Sequence, residues 1–302
     1  MKRRMILLWA ALLFQVVAAS QIPTSCFAFI REGDVFVHCG GREDRITHQA
    51  NVEYFAVSDE RATLGLMTSR IVSREPGSEY VVGVTTLVNL KDASVRKVEG
   101  GEGLISTCGG LYWRMNNTRR RSSTQDLITG ETITVPFYDW FRCSSDQRTV
   151  VGIRGNGLFR GSPPGDKIAD AKNVPLNSLS LSPDGSKVAD YDLQGRVCVY
   201  SAGRTECQSE PDPNPTSDIL SVANSGDVLV AVETGATCYR RNGGNSPEPC
   251  IGIGLLRAGA KAVEIVVPVG SSPQWLTPLT AELVRKWAGK SGAGGAKPPA
   301  SR

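Results

Sequence analysis

The sequence has few of the residues that catalytic and metal sites need. Its 302 residues include only two histidines, His38 and His48. That number excludes a multi-histidine metal site and disfavours a histidine-based catalytic centre. No GxSxG, HExxH, P-loop or dinucleotide-type glycine motif stands in a fitting context. The sequence therefore predicts no cofactor and no metal ion, and it assigns no residue a catalytic role.

The net positive charge is also small once the first residues are set aside. The formal net charge is +4, and Lys2, Arg3 and Arg4 supply three of these charges, which leaves +1 for the rest of the chain. Nucleic-acid binding requires a strongly basic surface, so no nucleic-acid partner is predicted. Charged residues make up 21% and hydrophobic residues 40%, a balance that excludes a wholly disordered chain.

Only one long apolar run exists, and it lies at the N-terminus. Basic residues 2–4 precede an apolar run over residues 5–19, and Ala18 and Ser20 occupy the −3 and −1 positions of a cut before Gln21. This pattern is typical of a secretory signal peptide, whereas a membrane span needs about 20 apolar residues. We therefore expect residues 1–20 to be removed and the protein to be exported, periplasmic or extracellular, with no span remaining. The alternative is an uncleaved anchor.

Eight cysteines follow the expected cleavage site, an even number that suits an oxidising compartment. A metal site is the alternative, but no CxxC spacing supports it. The predicted disulfide pairs are Cys26–Cys39, Cys198–Cys207, Cys238–Cys250 and Cys108–Cys143.

The pairing follows from hairpin geometry. The first two pairs flank two-residue turns, which place their members directly opposite each other on antiparallel strands. The third pair flanks a glycine-rich turn. The fourth pair contains the remaining cysteines, and each of them lies near the end of a repeat's first strand, so we expect this bridge to join adjacent repeats.

A strand–turn–strand phrase recurs along the chain, and helical periodicity is nearly absent between residues 21 and 270. The clearest copy spans residues 178–191 and turns at Ser182-Pro183-Asp184-Gly185. The turn positions of the five copies are spaced by 50, 37, 38 and 41 residues. Periods near 40 residues with about four short strands each predict an all-β fold built of propeller blades. The five turn positions are Asp59, Gly109, Asp146, Asp184 and Ser225.

The clearest copy resembles the repeat signature of TolB-type, WD-repeat-like β-propellers of bacterial exported proteins. The residues that carry this resemblance are 182–189, Ser-Pro-Asp-Gly-Ser-Lys-Val-Ala. The resemblance implies a propeller fold and a scaffolding or binding role. Because the signature is a structural turn, it transfers no catalytic residue to this sequence.

The count of repeats favours six blades, with seven as the alternative. Residues 21–288 would form one propeller domain with roughly 45 residues per blade. The N-terminal hairpin would borrow a strand from residues 263–269 or 273–278 and so close the ring. Leu279, Leu283 and Trp287 have the spacing of one helical face, which predicts a short C-terminal helix or a further strand. Residues 289–302 would form a disordered tail.

Two classes of function fit these features. The first is a non-enzymatic, monomeric propeller that binds another exported or cell-envelope macromolecule. The aromatic and basic residues Tyr112, Trp113, Arg119, Arg120 and Arg121 are its candidate partner-binding residues. The second class is a carbohydrate-active hydrolase or lyase, which needs two or three carboxylates that converge in the central channel.

One acidic pair bears on the second class. Asp190 and Asp192 flank Tyr191 and would point to the same face of a strand. A paired carboxylate of this kind could bind calcium or take part in glycoside hydrolysis. A solvated strand end is the alternative interpretation.

Overall fold

The structure is a computed structural model. It describes residues 25–48, 50–73, 79–100, 103–113, 121–136, 138, 140–161, 165–170, 179–192, 194–208, 221–239 and 247–293. The predicted signal peptide, residues 1–20, lies outside the described residues, and so do Arg119 and Arg120.

Five sheets each contain four antiparallel strands, and each is one blade. The first blade contains β1 (Cys26–Arg31), β2 (Asp34–Cys39), β3 (Arg42–Arg45) and β24 (Ser271–Leu276). The second contains β4 (Tyr54–Ser58), β5 (Thr63–Ser73), β6 (Glu79–Asn89) and β7 (Val95–Glu99). The third contains β12 (Trp140–Cys143), β13 (Val150–Arg154), β14 (Gly157–Arg160) and β15 (Asp166–Asp170).

The last two blades follow directly in the chain. The fourth blade contains β16 (Ser180–Leu181), β17 (Val188–Tyr191), β18 (Val197–Ser201) and β19 (Arg204–Cys207). The fifth contains β20 (Ser221–Val222), β21 (Val228–Tyr239), β22 (Pro247–Leu256) and β23 (Glu264–Val267). One helix, α1 (Pro278–Ala293), follows β24.

Two hairpins stand between the second and third blades and complete the ring. They are β8 (Leu104–Thr107) with β9 (Gly110–Trp113), and β10 (Arg121–Gln125) with β11 (Thr132–Pro136). The hairpins contact each other, and the N–H of Leu127 donates to the carbonyl of Leu111 at 2.7 Å.

The predictions of six or seven four-stranded blades are therefore not supported. The described part of the chain forms five such blades, because β9 pairs only with β8 and β10 only with β11. The strands of the first hairpin are short, and a two-residue turn at Cys108-Gly109 joins them.

The two ends of the chain join in the first blade, as the sequence predicted. Strand β24 runs antiparallel to β1, with Phe27 opposite Trp275 and Cys26 opposite Leu276. The second of the two predicted C-terminal segments thus supplies the closing strand. This pairing covers the free edge of β1 and closes the ring.

All four predicted disulfides are present. The Cα atoms are 4.3 Å apart in Cys26–Cys39, 4.1 Å in Cys198–Cys207, 5.0 Å in Cys238–Cys250 and 4.6 Å in Cys108–Cys143. The first two pairs lie directly opposite each other in hairpins. Cys108–Cys143 ties the first hairpin to the third blade, which is the bridge between neighbouring units that the sequence predicted.

Helix α1 packs against the first blade. Val284 and Ala281 are buried with the core residues of that blade, and Leu283 and Trp287 are partly buried beside them. Leu279, predicted for the same face, is 67% exposed, whereas its neighbours Thr280 and Ala281 in the first turn are buried, so Leu279 lies on the outer side of the helix. The helix continues to Ala293, past the predicted start of the tail at residue 289. Among the described residues, no helix is long and apolar enough to cross a membrane.

Candidate functional site: the central cavity

A cavity of about 390 Å³ runs through the centre of the ring. The first strand of every blade lines it, namely β4, β12, β16, β20 and β24, and so does β8 of the first hairpin. Its wall extends from Tyr54, the first residue of β4, to Asp59 in the turn after β4, so the cavity spans the depth of the ring. Its volume lies within the range of small-ligand pockets, roughly 300–1,000 Å³.

The two ends of the cavity differ, and each is named here for what surrounds it. The turn face carries the short turns after the first strands, such as residues 182–187, together with the start of α1. The hairpin face is the opposite one. There β5–β6 and β21–β22 continue past the blade, to Ser73 and to Tyr239, and Cys238–Cys250 braces the second hairpin.

Polar side chains on the cavity wall join neighbouring first strands. Every second N–H of a first strand points away from its own sheet and needs another acceptor. At four junctions a side-chain oxygen on one first strand accepts a hydrogen bond from the backbone N–H of the next. These pairs are Gln274–Val57 at 2.9 Å, Thr107–Cys143 at 3.0 Å, Ser180–Val222 at 3.2 Å and Ser221–Trp275 at 3.2 Å.

We call these four hydrogen bonds the acceptor belt. Gln274 strengthens it, because its Nε2 also donates to the carbonyl of Val57 at 2.7 Å. The belt explains why Ser, Thr and Gln occupy the wall. At these four positions the side-chain oxygens stabilise the ring by satisfying backbone N–H groups.

Among the described residues that line the cavity, one acid and one base are present, Asp59 and Arg142. Asp59 lies at the turn face, where its Oδ1 accepts from the N–H of Thr277 at 3.3 Å and from the hydroxyl of Thr277 at 3.1 Å. The Thr277 hydroxyl in turn accepts from the N–H of Thr280 and caps α1. The one acid of the described wall therefore helps to dock the helix.

Arg142 lies within β12 and is half-buried. One of its guanidinium nitrogens donates to the carbonyl of Phe141 at 3.1 Å. The sequence analysis did not single out this residue. The signal was nevertheless present, because alignment of the repeat copies by their turns places Arg142 in the same column as Ser180 and Ser221.

The aspartates of the repeat turns have structural roles. Burial opposes ionisation of Asp184, but hydrogen bonds from Ser186 and Ser182 outweigh it and hold the pKa of Asp184 below its usual value. Asp146 occupies the equivalent place in the third blade, and hydrogen bonds from Ser144 and Arg148 lower its pKa in the same way. Asp184 thus accepts from the backbone as predicted.

The acidic pair on the fourth blade does not face the cavity as two catalytic groups. Asp190 is 1% exposed, and its Oδ1 accepts from the N–H of Tyr191 at 2.8 Å. Burial opposes ionisation of Asp192, but hydrogen bonds from Arg196 and Gln194 outweigh it and lower its pKa. Burial and then the charges of these two aspartates raise the pKa of Tyr200 to about 12.

Asp192 also lies close to Cys198 and Cys207, in a group with the spacing of metal ligands. The two sulfur atoms are joined in a disulfide, so neither offers the thiolate that a metal ion needs. The donors present do not fit a metal site.

Two of the candidate partner-binding residues, Tyr112 and Trp113, have described side chains. Tyr112 is 1% exposed, and burial followed by the charge of Asp126 raises its pKa to about 12, so it is a neutral core residue. Trp113 is half-buried, and its Nε1 donates to the hydroxyl of Thr85 at 3.3 Å. Arg121 begins β10.

Comparisons with known proteins add little to this geometry. No protein-family model matches the sequence, so the resemblance to TolB-type propellers stays a prediction. No curated protein matches it either.

Two distant structural likenesses concern proteins whose sequences are 11–12% identical to this one. One is a chain of the mitotic checkpoint complex, with a TM-score of 0.39, over 70% of this chain and 62% of that chain. The other is the β-propeller domain of the trilobed protease of Pyrococcus furiosus, with a TM-score of 0.38, over 72% of this chain and 71% of that chain. The assignment of this chain as a β-propeller rests on its own strand pairing and ring closure.

Proposed function

We propose that this protein is an exported, non-enzymatic and monomeric β-propeller that binds another exported or cell-envelope macromolecule through its hairpin face. Four disulfides and the absence of a membrane-spanning helix among the described residues fit export. The observation that carries the proposal is the asymmetry of the two faces.

The turn face is built of short turns whose polar groups bond to one another. Ser145 of the third blade donates its N–H to the carbonyl of Pro183 in the fourth blade at 2.9 Å. The hairpin face carries the long β5–β6 and β21–β22 hairpins, which extend past the other strands of their blades. Long connections on a rigid scaffold are where binding residues concentrate.

The enzymatic alternative receives less support. Glycoside hydrolysis needs two carboxylates about 5–10 Å apart. The described cavity wall holds the single acid Asp59, and its carboxylate bonds to Thr277. The polar groups of the acceptor belt are likewise engaged in holding the ring together.

The test compares variants of the two faces. Arg70, in the extended part of β5, has a side chain 53% exposed and pairs with Glu99 at 2.6 Å. Arg148, in a turn of the opposite face, has a side chain 87% exposed. We expect Arg70→Glu to weaken binding and Arg148→Glu to leave it unchanged. The assay is capture from the exported fraction, followed by titration with the purified partner.

Three outcomes would contradict the proposal. Equal loss of binding in the two variants would remove the distinction between the faces. Release of reducing sugar from exported polysaccharides by the unaltered protein would favour the hydrolase. A mass in solution above that of one chain would contradict the monomer.

A further inference from the structure

A narrow cleft on the turn face gathers positive charge. It lies between α1 and the turn that joins β6 to β7, and its volume is about 30 Å³. This turn belongs to the turn face, because the N–H of Leu90 donates to the carbonyl of Ala62 in the turn after β4 at 2.8 Å. Lys91 lines the cleft from the turn, and Lys286 and Lys290 line it from α1. Two elements thus bring three ammonium groups together.

The spacing of residues along α1 explains how one helix supplies most of the cleft wall. Leu283, Lys286, Trp287 and Lys290 stand at intervals i, i+3, i+4 and i+7, which places them on one face. Leu283 and Trp287 are partly buried against the core, whereas the two lysines are exposed. Lys286 and Lys290 are about 6 Å apart along the helix axis, and like charges at this spacing repel each other.

The lysines of the cleft have no ion-pair partner among the described residues. Of the seven lysines in that part of the chain, Lys167 pairs with Asp170, and the other six have no carboxylate within 4 Å. Three of these six line the cleft, and the other three are spread over three blades. By contrast, Arg285 of the same helix pairs with Asp44 at 2.6 Å. The cleft therefore holds positive charge that the described part of the fold does not neutralise.

Two acids lie near the cleft without lining it. Asp92 follows Lys91, and its carboxylate turns back to accept from the N–H of Ser94 at 2.8 Å. Glu282 is exposed one helical turn before Lys286, and it forms no ion pair with that lysine. A flat anionic surface such as a bilayer would meet both acids, whereas a single projecting group would enter the cleft without contacting them.

The size of the cleft limits what it can hold. Pockets for small ligands have volumes of about 300–1,000 Å³, and about 10–15 Å³ is enough for one water molecule. A cleft of about 30 Å³ therefore accepts one polar group and not a whole small molecule. The carboxylate of a side chain that projects from a larger molecule fits both its size and its charge.

We propose that this cleft docks an acidic segment of a partner protein, with a glutamate or aspartate carboxylate held between Lys91 and the two lysines of α1. A second acid on the same face of an extended segment would lie about 6.7 Å from the first, close to the spacing of Lys286 and Lys290. The contact lies opposite the hairpin face, so it is separate from the surface of the proposed function and does not rest on it.

The probe is the peptide acetyl-Glu-Gly-Glu-Gly-Glu-Gly-Glu-amide, and the matched peptide has glutamine in place of each glutamate. Binding to the purified full chain is measured by calorimetry at about 10 mM salt, where the Debye length is roughly 30 Å and charges are weakly screened. We expect the glutamate peptide to bind and the glutamine peptide to bind at least tenfold more weakly. Equal binding of the two peptides, or no binding of the glutamate peptide, would overturn the proposal.

The decisive variant combines Lys91→Gln, Lys286→Gln and Lys290→Gln. We expect it to bind the glutamate peptide at least tenfold more weakly than the unaltered protein. Its melting temperature should not fall, because all three side chains are exposed and their mutual repulsion is removed. Unchanged affinity in this variant would contradict the assignment of the cleft.

The matched control removes the same charge elsewhere. It combines substitutions of the three dispersed lysines, Lys97→Gln, Lys187→Gln and Lys261→Gln. Its affinity for the glutamate peptide should stay close to that of the unaltered protein. An equal loss of affinity in the two triple variants would show that net charge alone attracts the peptide, and it would remove the case for a site.

Two other occupants are tested with the same variants. Binding to phosphatidylglycerol vesicles that depends on the cleft lysines would assign the cleft to a membrane surface instead. Tighter binding of inorganic phosphate than of the glutamate peptide would assign it to a free anion. Either result would overturn the proposal.

The results separate this site from the proposed function. Arg70→Glu, on the opposite face, should bind the glutamate peptide normally. Failure of the cleft variant to weaken peptide binding would overturn the docking site and leave binding of a macromolecule at the hairpin face untouched.

Discussion

Gly185 provides a sharp test of how the turn face is packed. The residue ends the Ser182-Pro183-Asp184-Gly185 turn of the fourth blade at φ +74°. A Cβ atom at this position would lie 2.6 Å from Cβ and Oγ1 of Thr149 and 3.0 Å from Cβ of Ser144, both in the third blade. Glycine is therefore needed for its backbone conformation and for the close approach of two blades.

The cost of Gly185→Ala has two parts. A left-handed conformation costs a non-glycine residue about 1–2 kcal/mol, and an extra methyl group in a filled space costs about 1–3 kcal/mol. We expect the free energy of unfolding to fall by about 2–5 kcal/mol. Urea unfolding followed by fluorescence, with the disulfides intact, measures this change.

Gly203→Ala is the matched control. Gly203 lies in the hairpin turn between β18 and β19 at φ +68°, and a Cβ atom there meets nothing within 4 Å. Only the backbone cost of about 1–2 kcal/mol should appear. Equal losses in the two variants would refute the argument that neighbouring blades pack closely at Gly185.

Four further predictions concern the stability of the fold. Asp184→Ala should cost about 1–2 kcal/mol in thermal unfolding, because Ser186 and Ser182 lose their acceptor, and partner binding by the folded protein should not change. Replacing Cys108 and Cys143 together by serine should lower the free energy of unfolding by about 4 kcal/mol, since this bridge closes a loop of 35 residues. Removing Cys198–Cys207, which closes a loop of 9 residues, should lower it by about 2.5 kcal/mol in the same urea assay. Ala93→Gly should raise the unfolding free energy by up to about 1 kcal/mol, because exposed Ala93 has φ +62°; a loss of stability would contradict this. Burial lowers the pKa of His38 by more than the charge of Glu43 raises it, and the charge of Arg285 lowers it further. Because the folded protein then takes up this proton less readily than the unfolded chain, the melting temperature should fall as the pH drops below about 6.5. The fall should be smaller in His38→Gln.

The features that the sequence predicted correctly depend on local chemistry. The turn at residues 182–185 has proline, aspartate and glycine in an order that favours one turn, and its aspartate accepts from the backbone as expected. Hairpin disulfides such as Cys198–Cys207 follow from the distance between two strands and the length of the turn. Ring closure followed from a first blade that lacked one strand.

The features that were missed depend on contacts between units. The blade count was wrong because residues 104–136 fold into two hairpins, and strand length and pairing there are set by neighbouring sheets. Tyr112 was named as a candidate partner-binding residue and is buried in the structure, because an aromatic residue beside a basic stretch does not reveal on which side of a sheet it lies. Arg142 was overlooked because the significance of its position depends on the strand of the next blade.

The repeat itself explains the polar residues of the cavity wall. In a ring of similar units, each first strand has an N–H that its own sheet cannot satisfy, and the neighbouring unit supplies an oxygen at four junctions. Ala56 in β4 and Arg142 in β12 hold the position of Ser180 and Ser221, and neither side chain can accept this bond. The ring therefore closes without this bond at two of its junctions, and the other four hold neighbouring first strands together.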